Sequence, residues 1–499
     1  MQRSHSKQLL RSRGICVILP TYNNVGSIAH ILERVKAQCD DVIVVNDGSN
    51  DGTEDILQSM SGITVVDNKK NEGKGTALKR GFQKALELGF SYAITLDADG
   101  QHYPEDIPLM LEANQKNPGA IIIGKRNLEG VDRSKGSKFA NAFSNFWFCI
   151  QTFHYLPDTQ SGYRLYPLRK LKGWSFLTSR YEAELELLVF ASWHGVKIVP
   201  IDINVFYPPK EEYVSHFRPA LDFTRIFILN TILCMLAIIY GLPWGICRFT
   251  KTVFNNVFAI LIYLIGCFGI ITPFALVYVP IRKCLSLKSN ALHGLLHRIG
   301  SIICWLLRIV DAKVSIQNHS QEKFEKPTIM ICNHQSHLDL MVQLSLTRKI
   351  VFLTNDWVWK SPFFGYVIRH AEYYPVSAGL DVLKPKLKAL IDKGYCISIF
   401  PEGTRSRDCT IGRFHKGAFQ LAEELNVDIL PVIIHGAGRA LPKGGLYMRK
   451  FPITLTIEER ITPEQLSKIG ATTVDKSKWF RHHYEQRYTE ISNQIEKYV

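Results

Sequence analysis

The sequence predicts an α/β protein with two α/β domains on either side of a transmembrane helical hairpin, and three observations lead there. Short β-branched runs alternate with amphipathic helical stretches from Gly14 to Arg225, and again from about Ala291 onward. Between them, Ile226–Cys247 and Thr252–Ile281 carry no charged residue. At 499 residues the chain also exceeds what one ordinary core organises. The expected boundaries are 1–225, 226–284 and 285–499.

In the first domain the strand candidates are Ile15–Leu19, Asp41–Asn46, Thr64–Asp67, Tyr92–Leu96 and Ala120–Gly124, with helices such as Ser27–Gln38 and Lys74–Leu88 between them. That alternation predicts a parallel sheet. Each uncharged segment exceeds the roughly 20 residues that cross a bilayer core. Arg248–Lys251 would form the connector of the hairpin. Gly241, Pro243 and Pro273 interrupt the segments and leave room for a pair of re-entrant or interfacial helices instead. Either arrangement returns the chain to the side it left. Flanking cations (Arg218, Arg225, Arg282, Lys283, Lys288) outnumber those of the connector, so both domains are expected on the cytoplasmic face of a multi-pass inner-membrane protein. In the last domain the strand candidates are Thr328–Cys332, Ile350–Thr354, Cys396–Phe400, Ile429–Ile434 and Ile453–Ile457. Ile302–Val310 is too short to span and is expected in the interface, and the tail from Lys476 looks like a polar helix.

Bulk properties narrow the partners. The net charge of +15 is spread along the chain instead of gathered into a block, which argues against nucleic acid. Membrane lipids with an anionic surface, and phosphate-bearing substrates, account for the same charge. Eleven cysteines include no C-x-x-C pair, and several (Cys16, Cys234, Cys267, Cys304, Cys332) sit in apolar runs as small hydrophobes, a usage suited to a reducing compartment. Met1–Arg13 is basic with no apolar core behind it, so no secretory signal is expected there.

Four landmarks close successive strands of the first domain, where open α/β sheets bind ligands. Pro20-Thr21-Tyr22 brings an aromatic that can stack on a base. Asp47-Gly48 puts a short carboxylate on a turn suited to a ribose or base edge. Gly73-Lys74-Gly75 opens a helix with a lysine, an anion site. Asp97-Ala98-Asp99 offers hard oxygen ligands to Mg²⁺ or Mn²⁺, which would hold a diphosphate and stabilise its departure.

These motifs resemble the family 2 glycosyltransferases of the GT-A (Rossmann-like) fold, especially the polyprenyl-phosphate sugar transferase branch. Gln160-Ser161-Gly162-Tyr163-Arg164 and Arg180–Leu187 extend the likeness to about Arg225. The resemblance implies a nucleotide-sugar donor, Asp47 on the nucleoside, Asp97 and Asp99 on the metal–diphosphate unit, and inversion by in-line attack. Asn24 departs from the glutamate usual in that branch. A hydroxyl acceptor would need a base, for which Asp158 and Glu182 are candidates, whereas a phosphate would not. Arg164, Arg218 and Ser215-His216-Phe217 are candidates to meet an acceptor phosphate.

In the last domain, His334 and Asp339 follow a strand in Asn333-His334-Gln335-Ser336-His337-Leu338-Asp339. The carboxylate can fold back onto one imidazole nitrogen, leaving the other to take a proton from a hydroxyl that attacks a thioester directly. His337 is expected on the helix surface or in packing. Phe400-Pro401-Glu402-Gly403-Thr404-Arg405-Ser406-Arg407 supplies a turn with two guanidinium forks suited to phosphate.

This region resembles the 1-acylglycerol-3-phosphate acyltransferases over about Thr328 to Pro431. The resemblance implies an acyl-CoA or acyl carrier protein donor, His334 as base, and Glu402, Gly403, Thr404 and Arg405 shaping the acceptor pocket. Ala378 stands where that family has a phosphate-gripping arginine, which opens the acceptor to a glycolipid, aminolipid or pigment hydroxyl. The expected whole is a bifunctional lipid-synthesising enzyme. Its alternative is one active module beside a lipid-binding platform.

Overall fold

The computed structural model describes residues 2–126, 135–174, 178–206, 219–286, 291–362, 364–445 and 447–496. The chain divides into two compact units, Met1–Phe249 with Asn493–Val499, and Thr250–Ser492.

In the first unit, β1 (Ile15–Thr21), β2 (Val42–Asn46), β3 (Thr64–Asp67), β4 (Tyr92–Thr95), β5 (Ile121–Arg126), β6 (Arg164–Pro167) and β7 (Ile198–Ile203) form one sheet in the order β3-β2-β1-β4-β6-β5-β7. Ile15, Val17 and Leu19 pack with Val42 and Val44 in one core, while Cys16 and Ile18 pack with Ile43 and Val45 in another. Burial of both faces turns such strands into unbroken apolar runs, which is why they were legible. The expectation of a fully parallel sheet needs correction: β6 runs antiparallel to both β4 and β5. A period-two pattern reports that a segment is extended, not its direction, and four residues of Arg-Leu-Tyr-Pro are too few to stand out.

The second unit holds β8 (Val314–Asn318), β9 (Ile329–Cys332), β10 (Ile350–Thr354), β11 (Tyr374–Pro375), β12 (Cys396–Ile399), β13 (Ile429–His435) and β14 (Ile453–Ile457), in the order β11-β10-β12-β9-β13-β14-β8. Among these strands only β13 and β14 pair antiparallel. The polar tail becomes the helix Thr473–Glu496, which buries Phe480 and Tyr484. The Tyr484 hydroxyl donates to the Ile331 carbonyl (2.6 Å) and accepts from the Val432 amide (3.1 Å), tying β9 to β13.

The uncharged region is helical from Pro219 to Cys284, with π turns at Ala237–Gly241 and Ile265–Ile271. Here the expected connector of the hairpin is corrected. Arg248–Lys251 lie inside the helix Leu242–Leu264, and no Gly or Pro among those four residues forces a turn. Their charges read as a connector in composition, yet the Arg248 guanidinium donates to the Trp193 carbonyl (2.8 Å) and Lys251 meets Asp311 (3.2 Å). Among the described residues one helix, Thr224–Ile262, is long and apolar enough to cross a membrane. At 1.5 Å per residue its 39 residues extend about 58 Å, roughly twice a bilayer core. Of the expected interfacial segment, residues 302–306 close the helix Ala291–Leu306, with Ile303 buried and Ile302 and Trp305 exposed.

Candidate active sites

β3, β2, β1 and β4 run parallel, and the strand order reverses between β1 and β4, which opens a crevice at their carboxyl ends. All four landmarks gather there. Pro20 and Thr21 end β1 and Tyr22 follows, with the Thr21 hydroxyl accepting from the Asn24 side-chain amide (3.1 Å). Asp47 is buried, and accepts from the Asn68 side chain (2.6 Å) and from the amides of Glu72 (3.0 Å) and Gly73 (2.8 Å). Its carboxylate therefore fastens the Lys70–Gly73 loop. Gly48 is obligatory beside it: φ is +72°, and a Cβ would stand 2.6 Å from the Lys70 carbonyl carbon.

Lys74, at the start of the helix Lys74–Glu87, extends its ammonium between Asp97 (2.6 Å) and Glu184 (2.8 Å). Burial opposes its charge, but the two carboxylates hold its pKa above the ordinary lysine value. Burial likewise works against the Asp97 carboxylate, and Lys74 and His102 bring it below the usual range. Asp99 is pushed up to about 6, first by burial and then by the charge of Asp97. Burial lowers His102 to about 4. Gly162 lets the 160–164 loop close on this cluster, since a Cβ would lie 2.6 Å from Asp97 Oδ2 and 2.9 Å from Lys74 Nζ. The donor set fits a divalent cation: Asp97 and Asp99 offer hard oxygens, and among the described residues no third His, Cys, Asp or Glu joins them in a metal-holding group. Diphosphate and water oxygens would complete such a shell, as Mg²⁺ prefers.

Two expectations are overturned here. Arg164 is fully buried and meets no acceptor. Its guanidinium donates to the carbonyls of Ser161 (2.6 Å), Thr159 (2.8 Å) and Glu184 (2.9 Å) and to the Tyr166 hydroxyl (3.1 Å). It thereby stitches the 159–161 loop to the helix Glu182–Trp193. Asp158 is no free base, because Arg126 grips both its oxygens (2.7 and 2.9 Å). Burial raises its pKa, but that grip outweighs burial and keeps the carboxylate below its usual range. Glu182 is buried, and its Oε2 has no hydrogen-bond partner among the described residues, so it stays the base candidate. Ser215-His216-Phe217 and Arg218 lie outside the described residues.

In the second unit, Asn333 pins the end of β9 to β13 through two 2.8 Å bonds with the Ile434 backbone. His334 Nδ1 lies 2.9 Å from Asp339 Oδ2, and the same oxygen accepts from the amides of Gln335 (2.6 Å) and Ser336 (2.8 Å). With Asp339 ionised, that contact places the imidazole hydrogen on Nδ1 and leaves Nε2 able to take a proton. The ring stacks on Phe400, centroids 4.0 Å apart. The His334 amide donates to Glu402 Oε1 (2.8 Å), and Glu402 Oε2 accepts from Gly412 (2.9 Å). Glu402 thus holds the His334 backbone in place behind the pocket, and burial raises its pKa.

His334 lines a cavity of about 570 Å³. Gly403, Thr404 and Arg405 also line it, and the rest is largely apolar, with Leu344, Phe352, Val367, Ile368 and Tyr373. His337, expected in packing, joins this lining, and burial ahead of the Arg405 charge lowers its pKa. Its position just before the helix Leu338–Leu344 was the available signal. Val376 reaches the cavity, whereas Ala378 is not among its lining residues.

Residues 16–169 match the family described as Glycosyl transferase family 2, and residues 312–435 match the family described as Acyltransferase. Polyprenol monophosphomannose synthase of Mycolicibacterium smegmatis is 32% identical over 206 residues, 38% of this chain and 76% of that protein. A chloroplastic 1-acyl-sn-glycerol-3-phosphate acyltransferase of Arabidopsis thaliana is 33% identical over 125 residues, 24% of this chain and 35% of that protein. The chain therefore spans about a third of the plant enzyme. Among solved structures, the 1-acyl-sn-glycerophosphate acyltransferase of Thermotoga maritima aligns with a TM-score of 0.38 and 22% identity, over 48% of this chain and 98% of that one. The chain belongs to glycosyl transferase family 2 through its first α/β domain and carries, fused to it, an acyltransferase domain.

Proposed function

We propose that the chain is a bifunctional membrane enzyme that moves a sugar from a nucleotide-sugar to a lipid or polyprenyl-phosphate acceptor, and an acyl group from acyl-CoA or acyl carrier protein to a lipid hydroxyl. The observation that carries this reading is the His334–Asp339 pair facing an apolar cavity of about 570 Å³ in the same chain as an intact Asp97–Asp99 cluster.

For acyl transfer, the acceptor hydroxyl gives its proton to His334 Nε2 as its oxygen bonds to the thioester carbon. Asp339 stabilises the imidazolium, the C–S bond breaks, and the thiolate leaves with that proton. No protein nucleophile is required. For sugar transfer, Asp97 and Asp99 would hold a divalent cation, which when bound would stabilise charge on the departing diphosphate. Lys74 faces the same charge, and the anomeric carbon inverts by in-line attack. Glu182 would take the proton of a hydroxyl acceptor; a phosphate acceptor needs none. The polyprenol-phosphate relative favours the phosphate.

The apolar helix Thr224–Ile262 and exposed Phe139, Phe146 and Phe153 support a membrane seat for the first unit. Cytoplasmic orientation and more than one span belong to this proposal, as does a shared lipid intermediate kept at high effective concentration.

Mass spectrometry of lipid extracts from cells expressing wild type, Asp99→Asn and His334→Ala tests it. A lipid bearing both sugar and acyl group, with each variant stalling at a different intermediate, is the expected result. An unchanged lipid profile in either variant would refute activity at that site.

A further inference from the structure

We propose that Lys443 is a second cation of the acyl-transfer pocket, acting with Arg405 to hold a phosphate group of the acceptor or donor beside His334. This rests on the acyl-transfer reading above. Lys443 lies between β13 and β14, far along the chain from the Phe400–Arg407 turn, and belongs to none of the motifs legible in the sequence.

Its ammonium donates to the Thr404 hydroxyl (2.8 Å) and the Arg405 carbonyl (2.9 Å), and its side chain lines the cavity that His334 lines. An ammonium has three donors, so one N–H is left after these two bonds. Among the lining residues only Arg405 and Lys443 carry a fixed charge, and both are positive. Neither forms an ion pair with a carboxylate among the described residues. The nearby carboxylates, Asp339 and Glu402, are buried and do not line the cavity; Asp339 Oδ2 is bonded to His334, and both oxygens of Glu402 accept from backbone amides.

Two uncompensated cations beside an apolar cavity are costly to desolvate unless an anion joins them. A guanidinium fork and a mobile ammonium together suit the oxygens of a phosphate. That phosphate has two sources, an acceptor headgroup or the phosphates of CoA.

Steady-state acyl transfer by the full-length enzyme distinguishes them, using wild type, Lys443→Met and Lys443→Arg. Oleoyl-CoA is paired with lysophosphatidate or with neutral monoolein, and S-oleoyl-pantetheine replaces oleoyl-CoA in a third arm. Lys443→Met is expected to raise KM about tenfold for the phosphate-bearing substrate with little change in kcat, and Lys443→Arg to restore most of it. A rise for lysophosphatidate but not monoolein places the anion on the acceptor. A rise for oleoyl-CoA but not S-oleoyl-pantetheine places it on the donor. Equal KM values in wild type and Lys443→Met, or equal rises for charged and neutral substrates, would overturn the inference and leave Lys443 a loop brace. A wild type that transfers no acyl group to either acceptor would instead remove the acyl-transfer reading itself, and this inference with it.

Discussion

In the first unit the site's charged groups neutralise one another, with Lys74 between Asp97 and Glu184 and Asp99 pressed toward its protonated form beside them. In the second unit one oxygen of the Asp339 carboxylate is shared between His334 and two backbone amides, and the cation Arg405 lines the cavity without an ion-pair partner among the described residues. The difference teaches what each site awaits. On the proposed reading, a metal–diphosphate would enter only as the Lys74–Asp97 ion pair rearranges. In the proposed acyl transfer the base, His334, is already oriented by Asp339.

The largest test of that contrast is His334→Ala. Acyl transfer should fall about a thousandfold, the loss typical of a removed general base, with sugar transfer unchanged. Parallel assays of thiol release and nucleoside diphosphate release would show it, and a joint loss would break the separation of the sites. Next comes Asp99→Asn, expected to lower sugar transfer about a hundredfold or more by removing a ligand that serves developing charge. Weakened Mn²⁺ binding should accompany it, with acyl transfer intact.

Lys74→Met probes the ion cluster through its effect on stability. It leaves Asp97 and Glu184 facing each other in a buried site, so a cost of about 3 kcal/mol is expected, visible as a lower midpoint for the first unit in thermal melts. An unchanged midpoint would mean the cluster is not under electrostatic tension. The smallest effect concerns pH. The folded-state pKa of Asp99, about 6, lies above its unfolded value, so its contribution to stability is present at low pH and lost as pH rises through about 6. Metal competes with that proton, and Mn²⁺ affinity should therefore strengthen over the same rise and level off above it. A flat Mn²⁺ affinity between pH 5 and 7 would place the site's proton elsewhere.

Local patterns carried much of the fold. β1, β2, β4 and β5, and β9, β10, β12, β13 and β14, were visible because strands largely buried on both faces are mostly apolar, and β3 because Val65 and Val66 are β-branched. β6 and the exposed edge strand β8 escaped, one for brevity and the other because four of its five residues face solvent. The chemistry-bearing residues Asp97, Asp99, His334 and Asp339 were equally visible, since a short spacing in the chain guarantees a short distance in space. Arg164 and Asp158 misled for the complementary reason: a charged residue next to a motif looks available until the partners that bury it, Glu184 and Arg126, come in from elsewhere in the sequence.

By itself, then, the sequence determined the two families, the strand-end motifs and the His334–Asp339 pair, all of which depend on neighbours a few residues apart. Only the tertiary structure decided the direction of β6, the unbroken helix through Arg248–Lys251, and the pairing of Lys74 with Glu184. It alone also brought His337 into the cavity wall. Each of those rests on contacts between segments tens of residues apart or more, or on the absence of any local signal strong enough to turn the chain. No local pattern records which distant group will come to meet a side chain.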